Sequence, residues 1–389
     1  SYWILVALLG LIALLVVTLR LVYPSLPDYQ QSIESHLSEA IGSEVTFTRM
    51  HTYWRGQNPV LELDGLRISG TTEVTVDSAV LALDLPRSLA YQQLVFTQLD
   101  VKQPYIKIVA DLPDVSTDDP SSRPLNPDDA KGAQLLSLLL RQERISVSDA
   151  SIELNLGELP PVTLTSFSAH LRSNGQLHQL KVGAALTAGD ASAPFRFVAE
   201  VNGSPARRPL NFYFHLPVLP QKVVNPWLEY AGLEPINNLD GGIKLWGAYR
   251  RSALEYAYVE TQISTLQAAT QSLTDTQVLL SLQPAESGYQ AQLSGKLTVN
   301  DKPYALPLVA ANWEHGLGLM PDQLVMDSLD LKQLKGWLDG QSFLPSLGQR
   351  ALTMLNPRGY VERLNVQWES PEWSSFVANA DLIDVSVSP

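Results

Sequence analysis

The sequence predicts a mainly β protein, in which one transmembrane helix is followed by a long, curved antiparallel sheet and a few short helices. Three observations predict this class. An unbroken apolar run begins the chain. Beyond it, apolar and polar residues alternate in many stretches of about 8–12 residues, the pattern of strands with one buried face. The 26 prolines and 23 glycines imply frequent turns, which favour short strands over long helices.

The apolar run at the start of the chain has the composition of a membrane-spanning helix. A helix of about 20 apolar residues crosses the roughly 30 Å hydrocarbon core of a bilayer. Tyr2 and Trp3 at one end, and Arg20 and Tyr23 at the other, are residue types that anchor such a helix at the two interfaces. A cleaved signal peptide would have a shorter apolar core, of about 7–15 residues, and a small-residue cleavage site. We therefore predict an uncleaved anchor over residues 1–23.

The composition is that of a folded protein with an acidic balance. The chain is 45% hydrophobic and 17% charged, with a formal net charge of -13. Nucleic acid is excluded as a partner, because its phosphates require clustered Lys and Arg and no run of basic residues occurs. The sequence has no cysteine, which excludes disulfides and thiolate chemistry. A cysteine-free exported chain agrees with a bacterial periplasm better than with a eukaryotic secreted domain.

Residues 24–110 are predicted to hold a short helix and the first strands. Asp28 caps an amphipathic helix that stops at Gly42. Its apolar face consists of Tyr29, Ile33, Leu37 and Ile41. We expect this face to pack on the following sheet rather than on the membrane, because Glu34 and Glu39 would be repelled by anionic lipid.

Alternation with a period of two begins at Glu44. Gly65 is expected to mark a bulge that changes the phase of the strand between Leu63 and Leu66. Further strands are predicted at residues 74–85, 94–101 and 105–110. The links between these strands are short, which predicts antiparallel pairing, since parallel neighbours need a crossover of about a dozen residues or more.

Residues 111–130 are rich in Asp, Pro and Ser and are predicted to form a flexible loop. Their acidic residues lack the alternating ligand spacing and central Gly of a calcium-binding loop. Residues 131–389 are predicted to continue the sheet after a leucine-rich helix that ends near Arg141. Short helices are also predicted at Asn225 and at Leu344. Strands are predicted at 145–156, 162–172, 177–186, 193–202, 210–216, 241–249, 254–264, 277–282, 289–298, 304–313, 323–331, 360–369 and 376–387.

Strands of this kind leave one apolar face uncovered, and few helices are predicted to cover it. A closed barrel or a sandwich would cover the face with protein. A long sheet curved into a groove would instead accept lipid acyl chains, and a membrane anchor at one end favours this arrangement. The candidate groove-lining residues are Leu81, Leu83, Phe195, Phe197, Phe212, Phe214 and Leu245. Ordinary core packing is the competing interpretation for each of them.

No motif for catalysis, a cofactor or a metal occurs in the sequence. The six histidines lack the spacing of a His-Glu-x-x-His site, and a Gly-x-Ser-x-Gly elbow is absent. The segment His315–Leu319 approaches a dinucleotide fingerprint but lacks its third glycine. A glycosidase needs only two carboxylates at a suitable separation, which a sequence does not fix. We expect no cofactor, no metal and no enzyme activity, with an enzyme as the least favoured alternative.

Short motifs follow one another in order along nearly the whole chain. They are the N-terminal anchor, the segment Asp28–Gly42, Trp54-x-Gly56-x-x-Pro59-x-Leu61-x-Leu63, the segment Val80–Leu85 with Ser88-Leu89, the Asp-rich loop, the Leu-rich helix ending at Arg141, Pro226-Trp227-Leu228, Leu245-x-Gly247 and Pro357-x-Gly359. None is specific alone, but their order resembles the AsmA-like superfamily of envelope proteins, and within it the YhdP branch.

The resemblance implies a bridge-like lipid transport protein, anchored by a single pass in the inner membrane of a diderm bacterium. Its N-terminus would be cytoplasmic and its bulk periplasmic, with a taco-like β-groove that carries phospholipid by its acyl chains toward the outer membrane. Members of the superfamily are much longer than 389 residues, so the chain resembles an N-terminal portion. The missing C-terminal part would contact the outer membrane or its proteins. The alternative is an envelope assembly or scaffold factor that transports nothing.

Overall fold

The chain consists mainly of β-strands, which confirms the predicted class. Nineteen strands and four α-helices lie within the part of the chain that the structure, a computed structural model, describes. Contacts divide the chain into two compact units, Ser1–Arg208 and Pro209–Pro389. The described residues are 18, 20, 23–41, 43–69, 73–91, 95–110, 142–157, 161–174, 176–203, 208–230, 235–250, 253–268, 271–285, 288–300, 302–313, 321–338, 357–368 and 376–387.

The predicted membrane anchor lies outside the described residues, apart from Thr18, Arg20 and Tyr23. None of the helices that the structure describes has the length and apolar character needed to cross a membrane. Three other predicted elements also lie outside the described residues: the Asp-rich loop, the Leu-rich helix after it and the helix predicted at Leu344. These assignments therefore stay predictions.

The first unit contains a 3-10 helix (Tyr23–Tyr29), two α-helices and ten strands among its described residues. The α-helices are α1 (Gln30–Ile41) and α2 (Leu85–Tyr91). The strands are β1 (Glu44–Thr46), β2 (Arg49–Arg55), β3 (Asn58–Ser69), β4 (Glu73–Leu83), β5 (Phe96–Lys102), β6 (Tyr105–Ala110), β7 (Arg144–Leu156), β8 (Val162–Ser173), β9 (Leu177–Ala188) and β10 (Ala191–Asn202).

Strand pairing in the first unit gives one sheet with the order β2–β3–β4–β5–β7–β8–β9–β10. β1 lies beside β2 on the same edge of β3, and β6 lies beside β5 between β4 and β7. Each of these two pairs of short strands therefore acts as one interrupted strand of the sheet.

One part of the predicted topology is wrong, because β5 and β6 pair with β7 in parallel. Leu99 lies opposite Ile145, and Ile106 lies opposite Ile152. A parallel partner needs a long crossover, and the residues between β6 and β7 are numerous enough to provide it. The composition of this segment predicts only a loop and a helix, and it does not indicate that β7 begins at the same end of the strands as β5 and β6.

The buried core of the first unit lies under the 3-10 helix and α1. The cluster consists of Phe47, Met50, Leu63, Val76 and Ala79. Leu26 and Ile33 pack against it, which confirms that the amphipathic helix faces the sheet. Tyr29 and Leu37 were predicted on the same face but are 62% and 36% exposed. Tyr29 belongs to the 3-10 helix, whose tighter winding of about three residues per turn puts it out of phase with α1.

Gly65 changes the phase of β3, as predicted. Leu63 and Leu66 are three residues apart, yet both pack against the same cluster, whereas residues an odd number apart in a regular strand face opposite sides. Gly65 has a φ of +63°. A Cβ at this position would lie 2.3 Å from Thr48 Oγ1, so glycine is needed both for the backbone conformation and for space.

Helix α2 was not predicted. β4 ends at Leu83, and the Asp84 carboxylate accepts a hydrogen bond of 3.0 Å from the backbone N–H of Arg87. Asp84 therefore caps a helix, and its predicted place within the strand 74–85 is wrong. The missed signal is an N-cap residue followed closely by Pro86, because proline is tolerated in the first helical turn.

The second unit holds α3 (Gln221–Tyr230), α4 (Leu331–Leu338) and nine strands among its described residues. The strands are β11 (Leu210–Leu216), β12 (Ile236–Arg250), β13 (Ala253–Ala268), β14 (Gln271–Pro284), β15 (Tyr289–Val299), β16 (Lys302–Trp313), β17 (Gln323–Asp330), β18 (Pro357–Trp368) and β19 (Phe376–Val387). Each strand pairs with the next in antiparallel fashion, so the sheet follows chain order.

Helix α3 starts at Gln221, earlier than the predicted start at Asn225. Asn225 is not the N-cap but lies inside the helix. Its side-chain amide donates to the backbone carbonyl of Ile236 and accepts from its N–H, both at 2.9 Å. The Asn-Pro pattern therefore reflects a tie between the helix and β12 rather than a helix start.

Candidate functional site

The register of the second unit assigns its residues to two faces of the sheet. Residues directly opposite one another on paired strands have their side chains on the same side. One row of such residues crosses eight strands, from β11 to β18. It consists of Phe214, Leu245, Val259, Leu280, Leu293, Val309, Met326 and Leu364. Every member is apolar, and every member is half-buried.

A second apolar row runs beside the first on the same side of the sheet. It consists of Phe212, Gly247, Ala257, Leu282, Ala291, Ala311, Leu324, Val366 and Ala378. We call the surface formed by these two rows the apolar face of the second unit. Strands lie about 4.8 Å apart, so eight of them give an apolar stripe roughly 34 Å long that runs across the strands.

The opposite side of this sheet is largely polar. Four amide side chains on β15–β18 form a hydrogen-bonded ladder, in which each donates to the next at 3.1, 2.8 and 2.9 Å. Its members are Gln290, Asn312, Gln323 and Asn365. A ladder of this kind satisfies its own polar groups at a solvent-facing surface, which contrasts with the unbroken apolar rows on the other side.

The first unit has two apolar rows of the same kind. One consists of Met50, Leu63, Ala79, Val101, Val147, Ala169, Val182 and Phe197. The other consists of Leu61, Leu81, Leu99, Ile145, Leu171, Leu180 and Ala199. We call these two rows the apolar face of the first unit. The longer row is buried from Met50 to Ala79 and half-buried from Val101 onward.

The structure places the predicted groove-lining residues on these two faces or beside them. In the second unit, Phe214 lies directly opposite Leu245, and Phe212 lies opposite a glycine. In the first unit, Leu81 and Phe197 belong to the two rows. The remaining two pair with apolar partners: Leu83 with Phe96, and Phe195 with Ala184. That these residues contact lipid stays a prediction.

The longest part of the apolar face, which runs from β13 to β18, was not among the predicted groove-lining residues. Its members there are aliphatic rather than aromatic: Val259, Leu280, Leu293, Val309, Met326 and Leu364. The alternation that reveals them is visible in the predicted strands. The selection favoured phenylalanine and so passed over the smaller side chains that continue the row.

The predicted anchor residues Arg20 and Tyr23 both contact Trp54 on β2. The Arg20 guanidinium lies 5.8 Å from the centre of the Trp54 ring, and the Tyr23 ring meets it edge-on at 5.6 Å. Thr52 Oγ1 also donates a 2.8 Å hydrogen bond to the Tyr23 carbonyl. These contacts attach the start of the described chain to the buried end of the first apolar face. Tyr2 and Trp3 lie outside the described residues.

Among the described residues, His178 is a titratable side chain on the apolar side of the first sheet. His178 is paired with Ser173 across the strands, and its Nδ1 lies 2.9 Å from Ser173 Oγ. Burial lowers the pKa of His178 below its ordinary value of 6.5, because a charged imidazolium loses hydration there. The neutral ring is therefore the form that suits this surface.

This lowered pKa predicts an acid-sensitive contribution to folding. The unfolded chain binds the proton more readily than the folded chain, so stability falls as the pH drops below 6.5 and through the lower folded pKa of His178. We expect His178→Gln to reduce the fall in the urea midpoint between about pH 7.5 and about pH 5. His170→Gln is the matched control, since His170 also bonds a serine, Ser146, at 3.0 Å but is exposed. Equal pH dependence of wild type and His178→Gln would contradict the assignment.

The chemistry that the apolar faces offer is nonpolar contact. Each methylene group that leaves water for such a surface gains about 0.8 kcal/mol, without the directional preference of a hydrogen bond. Nowhere in the described ranges do three or more His, Asp or Glu side chains come close enough together to hold a metal ion. What these faces offer a ligand is therefore apolar surface.

Comparison with known proteins identifies one family. The sequence profile described as YhdP protein matches residues 1–389. No curated protein and no solved structure matches the chain. The match covers the region over which the ordered motifs were found, so it confirms the resemblance that those motifs indicated. The chain therefore belongs to the YhdP family.

Proposed function

We propose that the apolar faces bind the acyl chains of phospholipids and that the protein carries phospholipid between the inner and outer membranes. In this proposal the N-terminal helix anchors the chain in the inner membrane, and the bulk of the chain lies in the periplasm. The family supports the class of function, that of an AsmA-like bridge for lipid. The observation that carries the proposal is the unbroken apolar row from Phe214 to Leu364.

The exposure of this row favours a mobile ligand. Soluble proteins rarely leave contiguous apolar patches larger than a few hundred Å² in water. All eight side chains of the row are half-buried. An acyl chain lying along the row would complete their burial and gain about 25 cal/mol for each Å² of apolar surface removed from water.

The direction of the row suits transport rather than tight capture. It runs across the strands, so a lipid moving along it meets one apolar side chain from each strand in turn. Consecutive contacts, such as Leu280 and Leu293, are of the same chemical kind. The binding energy therefore changes little from one position to the next, and low barriers permit sliding.

Phospholipid that co-purifies with the full chain tests this proposal. We expect the chain, extracted from membranes, to retain phospholipid beyond the amount held by its anchor. Residues 1–23 fused to an unrelated soluble protein give the matched control for anchor-bound lipid. Quantification of extracted phospholipid per chain by mass spectrometry gives the result. An amount of phospholipid per chain no higher than in the control, together with a specific co-purifying protein, would contradict transport and favour the scaffold alternative.

A further inference from the structure

The polar side of the second unit carries two neighbouring cavities that the proposed function does not use. The larger, of about 520 Å³, lies across β12–β15 and is lined by Trp246, Glu260, Gln277, Leu279, Ser294 and Lys296. The smaller, of about 210 Å³, shares Glu260 and is also lined by His215, Asp240, Lys244 and Gln262. Together they place an apolar surface directly beside a group of hydrogen-bonding side chains.

The apolar part of this site is a stacked aromatic pair. Trp246 and Tyr258 lie opposite one another on β12 and β13. Their rings are 5.5 Å apart with an angle of 18° between their planes. Tyr256 lies 5.8 Å from Tyr258, and Leu279 is 39% exposed on the next strand. Trp246 and Tyr258 are half-buried and Leu279 is exposed, so apolar area remains open beside the polar side chains, which is typical of a binding surface.

The polar part of the site is organised around Glu260. Its carboxylate accepts hydrogen bonds from Lys244 Nζ at 3.2 Å and from Gln262 Nε2 at 3.1 Å. Gln277 Nε2 donates to the same carboxylate from β14 at 3.4 Å. These bonds hold donors and acceptors from three strands in fixed positions, which lowers the entropy lost when a ligand binds.

The charges of the two cavities cancel. Glu260 and Asp240 oppose Lys244 and Lys296, so the site offers no net attraction to an anion or a cation. A fitting ligand is therefore neutral, carries many hydroxyl groups, and has an apolar side that can lie on an aromatic ring. A sugar ring has these properties, because its C–H groups line one side and its hydroxyls project from the edge.

We propose that this site binds a neutral oligosaccharide, with one sugar ring on Trp246 and its hydroxyls bonded to Glu260, Gln277 and Lys296. The site and the apolar face lie on opposite sides of the same sheet, so occupation of one leaves the other accessible. This function is independent of lipid binding. The failure of either proposal leaves the other intact.

Saturation-transfer NMR on the full chain tests the site with three defined probes: chitotriose, cellotriose and maltotriose. The chain is held in lipid nanodiscs, since sugar-headed detergents would compete. We expect saturable binding of at least one probe below about 10 mM and at least about tenfold weaker binding after Trp246→Ala. Trp227→Ala is the matched control, because Trp227 is 40% exposed on α3 and lines neither cavity, so its replacement is expected to leave the affinity unchanged.

A second variant guards against a folding defect in Trp246→Ala. Gln277→Ala changes an exposed side chain and is expected to weaken binding about fivefold through the loss of one hydrogen bond. Circular dichroism reports whether each variant is folded. If Trp246→Ala does not fold, the affinity of Gln277→Ala decides whether the site binds the sugar. No saturable binding of any probe would overturn the proposal. Binding that survives both substitutions, or binding only of an anionic glycan such as dextran sulfate, would also overturn it.

Discussion

Leu293→Asp is expected to remove most of the phospholipid bound by the second unit. Leu293 lies in the middle of the first apolar row, opposite Leu280 on one side and Val309 on the other. A carboxylate there stays hydrated without lipid, because the position is half-buried. An acyl chain would have to strip this hydration, at a cost of several kcal/mol. We expect phospholipid per chain to fall by most of the amount that the second unit holds, while the apolar face of the first unit keeps its own share, measured after purification by extraction and mass spectrometry.

Gln292→Asp is the matched control for this variant. Gln292 precedes Leu293 on β15, but it pairs with Ser281 and Ala310 on the polar side of the sheet. The two variants therefore add the same charge to the same strand, on opposite faces. Equal lipid content in both variants would show that the apolar row does not hold the lipid.

Gly65→Ala is expected to destabilise the first unit more than any surface substitution. The φ of +63° at this position costs a residue with a Cβ about 1–2 kcal/mol. The added Cβ would also lie 2.3 Å from Thr48 Oγ1 and 3.1 Å from Thr48 Cβ. Thr48 resists displacement, because its backbone N–H donates a 2.8 Å hydrogen bond to Asp64. We expect a total loss of about 3 kcal/mol or more, measured from urea unfolding.

Gly56→Ala separates the backbone contribution from the clash. Gly56 has a similar φ of +67°, but a Cβ there would meet nothing within 4 Å. We expect Gly56→Ala to lose only the backbone contribution of about 1–2 kcal/mol. Adding Thr48→Ala to Gly65→Ala should recover part of the difference in free energy of unfolding between the two glycine variants. Equal destabilisation by the two glycine substitutions would contradict the close packing of Gly65 against Thr48.

The sequence predicted the strands well, because a sheet with one apolar face leaves an alternation that can be read directly. It also predicted the phase change at Gly65, since glycine marks such positions. Register shifts in β7 and β8 accompany Asp149 and Ser166, which have φ values of +54° and +51°. They could not be predicted, because serine does not indicate a left-handed backbone, and aspartate, which adopts one more readily than most residues, marks turns rather than positions within a strand.

The parallel placement of β7 could not be predicted either. Short links imply antiparallel neighbours, but the long segment after β6 is compatible with a return to either end of the sheet. Its composition indicates only a loop and a helix. The pairing of Leu99 with Ile145 is decided by tertiary packing, which brings two apolar strands together at a distance in sequence.

The candidate surfaces were predictable residue by residue but not as rows. Alternation places Phe214 and Leu245 each on one face of its own strand, and only the register shows that they are direct neighbours. The cavity beside Trp246 was not predicted at all. Its polar residues Glu260 and Gln277 come from separate strands, and no spacing along the chain links them.

Photo-crosslinking at two adjacent leucines tests the central claim most directly. Leu280 belongs to the apolar row, whereas Leu279 lies on the polar side and is 39% exposed. A photoreactive residue is introduced at each position in turn and activated in cells. Phospholipid covalently attached to the chain is then detected. If acyl chains lie on the apolar face, position 280 is labelled and position 279 gives no signal above background. Labelling from position 279 that equals or exceeds that from 280, or no labelling from either, would contradict this claim.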